Sequence, residues 1–173
     1  MIVKEAYTLG KQMKQWNEKA QSLTFIVTED CNLRCKYCYI THKASNAKMS
    51  LEVAQKFIDY VLSGSIKMQE AVILDFIGGE PLLEVDLISQ ICDYFKIKAY
   101  EKNIDWYWNY RINISTNGVN YSDKNVQGFI AKNKGKLSIG ISIDGTKEKH
   151  DSQRVFPNSS GSYEIIEKSI PLQ

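Results

Sequence analysis

Four short runs rich in β-branched and aromatic residues recur along the chain, each followed by a segment with apolar residues at helical spacing. Residues 22–28 (SLTFIVT), 71–77 (AVILDFI), 112–116 (INIST) and 137–143 (LSIGISI) are the expected strands. The second is almost continuously apolar, as expected of a strand in a buried parallel sheet. After the first, Ser50 stands as an N-cap ahead of Val53, Ala54, Phe57, Ile58, Val61 and Leu62, which repeat at helical intervals. Further helices are expected over about 83–100, near 123–132 and after Gly161. A β-α order repeated four times winds into a parallel sheet with right-handed crossovers, so the fold class is α/β. With 173 residues, 43% of them hydrophobic, the chain is long enough for one domain with a real core.

The residues with distinctive chemistry all fall just after the strands. The first strand runs into Cys31-Asn32-Leu33-Arg34-Cys35-Lys36-Tyr37-Cys38, a C-x3-C-x2-C spacing with an aromatic before the last cysteine. Three thiolates this close can hold three corners of a four-iron cube and leave one iron without a protein ligand. An open metal position is where chemistry happens, as at catalytic zinc sites with three protein ligands. Spacing alone shows only a metal site. The competing reading is a Cys3His zinc module on Cys31, Cys35, Cys38 and His42, without enzymatic activity. A disulfide is disfavoured, since nothing reads as a secretory signal and a reducing compartment keeps thiols free. Cys92 has Ile88, Ile91 and Phe95 as helical neighbours and reads as a small buried hydrophobe.

Each of the other strand ends has a structural reading beside a functional one. Gly78-Gly79-Glu80-Pro81 makes a tight strand-to-helix turn, with Pro81 suited to the first helical turn. Its glycines also let backbone approach a ligand closely. Asn117, in Ser115-Thr116-Asn117-Gly118, either tolerates a left-handed turn or contacts a ligand. Ser142 lies at the fourth strand end, and Asp144 suits a turn cap. Arg154 either makes a surface salt bridge or binds an anionic group. His150 is assigned no role. Trp106, Tyr107, Trp108 and Tyr110 are expected to serve packing, and Asn32, Leu33 and Arg34 to shape the cysteine loop.

Composition narrows the partners. Twenty-two basic against 20 acidic residues give no electrostatic case for nucleic acid, and Lys132, Lys134 and Lys136 read as a solvated loop. No apolar stretch is long enough to cross a membrane. The N-terminus lacks the apolar core of a secretion signal, and a cytoplasmic location is expected.

Together, CNLRCKYCY, GGEP, STNG and SIDG with the following HD..R resemble the radical S-adenosylmethionine (radical SAM) superfamily, whose signature is CxxxCxφC with φ aromatic. Tyr37 fills the φ position. The resemblance covers about residues 22–173, with residues 1–21 as a lead-in. It points to the branch of SPASM-type peptide maturases and anaerobic sulfatase-maturating enzymes. It implies a partial (β/α) barrel and a [4Fe-4S] cluster on Cys31, Cys35 and Cys38. It also implies S-adenosylmethionine (SAM) on the fourth iron, contacted by Gly78, Gly79, Glu80, Asn117, Ser142 and Arg154. The implied activity is reductive cleavage of SAM to a 5′-deoxyadenosyl radical that modifies a ribosomal peptide or protein, for example by thioether formation. The implied partners are that substrate and a low-potential donor of flavodoxin or ferredoxin type. The family core has six β/α units and four are countable here, so a truncated form is expected, and an inactive fragment is a third reading.

Overall fold

A computed structural model describes residues 11–41, 43 and 47–169. Four strands form one parallel sheet in the order of the chain: β1 (Ala20–Thr28), β2 (Ala71–Gly78), β3 (Tyr110–Thr116) and β4 (Leu137–Ile141). Three helices link them: α1 (Leu51–Val61), α2 (Val85–Glu101) and α3 (Lys124–Lys132). Two short helices follow, α4 (Lys147–Gln153) and α5 (Tyr163–Ser169). Sequential parallel strands joined through helices are the winding of a (β/α) barrel, and four units make a partial one.

The alternation of side chains across the sheet decides what holds it together. Leu23, Phe25 and Val27 of β1, Val72, Leu74 and Phe76 of β2, and Ile112 and Ile114 of β3 are buried. They form a single core with Ala54, Ile58 and Val61 of α1, Ile88, Ile91, Cys92, Phe95 and Ala99 of α2, and Val126 and Phe129 of α3. Burying one such large side chain is worth about 1.5–3 kcal/mol, more than helix propensity supplies per residue. Ser50 caps α1, its hydroxyl accepting the Val53 N–H at 3.2 Å. Val53 and Phe57, expected on the core face, are instead exposed, although Phe57 meets Phe25 edge-on.

The opposite face of the sheet is covered only in part among the described residues, where Met13 and Asn17 line a cavity with Ile73, Asp75, Asn113 and Ser138. Its register places Thr24, Asp75, Asn113 and Ser138 in one row across all four strands. The Asn113 amide donates to Asp75 at 2.6 Å. β2 is therefore not buried on both sides, as its apolar run implied. Ile73, Asp75 and Ile77 are half-buried on this face. Residues 11–18, within the expected lead-in, are helical, and Trp16 stacks on the Arg111 guanidinium at 4.6 Å.

Other boundaries also differ from expectation. β4 stops at Ile141 rather than Ile143, Ser142 making one last bond from its N–H to the Thr116 carbonyl at 3.0 Å. Residues 83 and 84 belong to a 3-10 turn (Pro81–Glu84) ahead of α2. The aromatic run is broken by another such turn, Asp105–Tyr107, which buries Trp106 and leaves Trp108 exposed. The Trp106 indole N–H donates to the Gln69 carbonyl at 2.8 Å. Lys132 ends α3 and pairs with Asp93 at 2.5 Å, rather than lying in a solvated loop. Cys92 is buried as expected, which pushes its thiol up to about 12.

Candidate metal and cofactor site

The C-terminal ends of the four strands open onto one cleft. Cys31, Cys35 and Cys38 line it with Tyr37, Gly78, Gly79, Ser115, Thr116, Asn117, Ser142 and Arg154, joined by Tyr39 and Lys43. Five of the six residues expected to contact SAM thus meet the three cysteines there. The sixth, Glu80, does not.

Gly78 and Gly79 are needed first for the backbone. Gly79 N–H donates to the Thr28 carbonyl and Glu80 N–H to the Asp30 carbonyl, each at 2.8 Å, zipping the root of the cysteine loop to the end of β2. A Cβ on Gly79 would overlap the Asp30 carbonyl, and one on Gly78, at φ +143°, the Thr28 carbonyl. No other residue fits that approach.

Glu80 lies beneath the cleft floor with no exposure. One carboxylate oxygen accepts from the Leu82 N–H at 3.0 Å and the Thr116 hydroxyl at 2.6 Å; the other accepts from the Asn117 N–H at 2.8 Å. Burial raises its pKa, and these hydrogen bonds oppose the rise without cancelling it. Through these three bonds Glu80 serves as a strut between the ends of β2 and β3.

That strut sets Asn117. Its Oδ1 accepts the Val119 N–H at 2.9 Å, and its Nδ2 donates to Asn32 Oδ1 at 2.8 Å and lies 3.7 Å from Cys31 Sγ. The left-handed residue of this turn is Gly118, at φ +84°, not Asn117. Asn32 also donates to Asn120 at 2.6 Å. Arg34 folds its guanidinium onto the carbonyls of Cys31 at 2.6 Å and Leu33 at 3.0 Å. These contacts give the loop residues the shaping role expected of them.

All four cysteines are free. Burial raises the pKa of Cys31, partly opposed by the Leu33 N–H, which donates to its sulfur at 3.4 Å. Burial also raises Cys35, opposed by the charges of Arg154 and Lys43. Among the described residues, no three His, Cys, Asp or Glu side chains close round a single ion. Three thiols spread along one cleft, with an amide hydrogen bond to sulfur and cationic side chains facing them, fit the larger cube. His42, the fourth ligand of the zinc reading, lies outside the described residues.

Beyond β4, Asp144 ties two cleft residues together. Tyr37 donates its hydroxyl to Asp144 Oδ2 at 2.6 Å, and Arg154 Nε lies 3.1 Å from Asp144 Oδ1. The Arg154 guanidinium also covers the Tyr37 ring at 5.4 Å. Burial and the bond to Asp144 push Tyr37 up to about 12. Burial works against the Asp144 carboxylate, yet Tyr37 and Arg154 hold its pKa below the usual carboxylate value.

The buried His150, assigned no role from sequence, locks this arrangement from behind. Ser162 donates to the Arg154 carbonyl at 2.9 Å, so the His150 Nε2–H donates to Ser162 Oγ at 3.0 Å. Its Nδ1 then accepts the Asp144 N–H at 3.3 Å. Sequence reasoning missed Asp144 as a cleft organiser because an Asp-Gly pair reads first as a turn. It missed Lys43 because a lysine in a polar loop reads as solvated.

The family model described as the Radical SAM superfamily matches residues 25–170. Among curated relatives, uncharacterized protein MJ0907 of Methanocaldococcus jannaschii is 36% identical over 138 residues, which are 79% of this chain and 42% of that one. A cysteine-type anaerobic sulfatase-maturating enzyme of Clostridium novyi is 28% identical over 162 residues, 88% of this chain and 40% of that one. The solved structure of native anSMEcpe with bound AdoMet and Kp18Cys peptide superposes with a TM-score of 0.70 at 25% identity. It covers 87% of this chain and 39% of that one. The chain thus spans about two fifths of the length of these relatives.

Proposed function

The chain belongs to the radical SAM superfamily, and we propose from this that its cleft holds a [4Fe-4S] cluster on Cys31, Cys35 and Cys38, with SAM at the open iron. The carrying observation is the convergence of four strand ends, three free thiols and Arg154 on one cleft. When bound, the cluster supplies the electron that splits SAM into methionine and a 5′-deoxyadenosyl radical.

The protein's own residues bind and orient. Backbone groups of Gly78 and Gly79 offer hydrogen bonds to the SAM amino group, Ser142 a hydroxyl to its ribose or methionyl end, and Arg154 a cation to its carboxylate. Asn117, 3.7 Å from Cys31 Sγ, lines the cleft where the ligand would bind. Glu80, which the resemblance places at the SAM amino group, also accepts the Asn117 N–H and so holds that turn. Residues 22–173 form the N-terminal part of the catalytic core in this reading.

The substrate is a peptide or protein. Two observations support this: the sulfatase-maturating relative and a structural neighbour solved with a peptide. The partly covered, polar sheet face bearing Thr24, Asp75, Asn113 and Ser138 gives such a substrate room beside the cleft. The electron comes from a low-potential flavodoxin or ferredoxin.

The test is anaerobic incubation of the reconstituted protein with SAM and dithionite, followed by chromatography for 5′-deoxyadenosine. Product above the level of a Cys31→Ala, Cys35→Ala, Cys38→Ala variant is expected. Equal traces from both proteins would contradict the proposal.

A further inference from the structure

One charged group in the cleft has no ion-pair partner among the described residues. Lys43 is 5% exposed, yet among the described residues it makes no ion pair. Its ammonium has three donors. The hydrogen-bond partner found for it among those residues is the Leu33 carbonyl, at 3.4 Å. The other cation of the cleft, Arg154, is already matched by Asp144. Glu80 accepts from Leu82, Thr116 and Asn117 and makes no ion pair with Lys43. A buried ammonium with one long hydrogen bond and no ion pair is under-satisfied, so a chain that keeps one there gains from something that arrives with negative charge.

The neighbours of Lys43 indicate what that is. It lines the cleft beside the three cysteines. Its partner carbonyl belongs to Leu33, whose own N–H donates to Cys31 Sγ. The ammonium is therefore anchored to the segment that carries the thiolates. Three thiolates around a cube bring net negative charge into this low-dielectric site, and adding one electron makes that charge larger by one.

We propose that Lys43 is the resident counter-charge of the cluster and raises its reduction potential. This rests on the cluster reading above. One electron enters from a reductant such as dithionite, no bond forms or breaks, and no proton is required. Because Lys43 stabilises the more negative, reduced state over the oxidised one, removing it makes the cluster harder to reduce. Lys43 is thus a positioning charge: it touches no reacting atom.

The experiment is a dithionite titration followed by electron paramagnetic resonance (EPR), on reconstituted wild type, Lys43→Met and Lys43→Arg, without SAM. Each sample is first checked for iron and sulfide. The expected result is a lower midpoint potential for Lys43→Met and recovery toward wild type for Lys43→Arg, which keeps the charge. Should Lys43→Met lose the cluster, Lys43→Gln, which keeps a hydrogen-bond donor without the charge, takes its place in the comparison. Equal potentials in the charged and uncharged forms overturn the inference and leave the cluster reading standing. Equal potentials, with a separate SAM titration that shows weaker binding to Lys43→Met, also overturn it and assign the lysine to the ligand's carboxylate. A wild type that builds no four-iron cluster overturns both this inference and the reading it rests on.

Discussion

Glu80 shows how a residue's place can be legible in the sequence while its protein partners are not. Its place after Gly78-Gly79 is legible in the sequence, but the number of donors that reach its carboxylate depends on β3 lying beside β2. Replacing it with Ala leaves the Asn117 and Leu82 amides and the Thr116 hydroxyl without their partner. The expected loss is about 1–3 kcal/mol of unfolding free energy, measured by denaturant titration. The pH dependence follows from burial. The folded pKa is raised above the ordinary 4.5, so the contribution of Glu80 is fully present below that value. It is lost as pH rises through the folded pKa. Thermal melts of Glu80→Gln are expected to lose the part of the decline that opens above 4.5; an unchanged profile would show that Glu80 is not its source. Lys43 and His150 were invisible at this scale for another reason. Their burial comes from packing of distant segments, and neither lies in a periodic pattern.

At the scale of elements, the strands and α1–α3 were legible because each presents one apolar face to a common core. α4 was not. Its sequence, KEKHDSQ, has no apolar period, and its start is marked only by Thr146, whose hydroxyl accepts the Lys149 N–H. β4 was read too long because Ser142 and Ile143 continue its alternation, although the ladder ends with the bond to Thr116. The junction of β1 and β2 decides whether the site can assemble. Gly79→Ala forces a methyl group against the Asp30 carbonyl, which is backbone and cannot swing aside. The expected cost is about 1–3 kcal/mol. Because that carbonyl leads directly into Cys31, the variant is also expected to retain less iron after reconstitution. Wild-type stability and iron content in Gly79→Ala would contradict this.

For the whole molecule, the convergence of strand ends on a single cleft was legible from the β-α order, since parallel winding puts every strand terminus on the same edge. The polar sheet face was not, because Ile73 and Ile77 hide the polar alternation of β2. The same winding leaves β4 as an edge strand. Leu137, Ile139 and Ile141 line a groove there with Ile130 and Ala131. An outer strand edge without a partner among the described residues, beside apolar surface, favours self-association. Sedimentation velocity is expected to show concentration-dependent association that Ile139→Lys weakens; a monodisperse monomer with a cooperative melt would count against it. The cleft itself is best tested by EPR of the anaerobically reconstituted, dithionite-reduced protein, with and without SAM. A four-iron signal that changes shape on adding SAM is the expected result, because an iron without a protein ligand is then taken by SAM. No cluster, with stoichiometric zinc in its place, would contradict the proposed function and leave a metal-stabilised module.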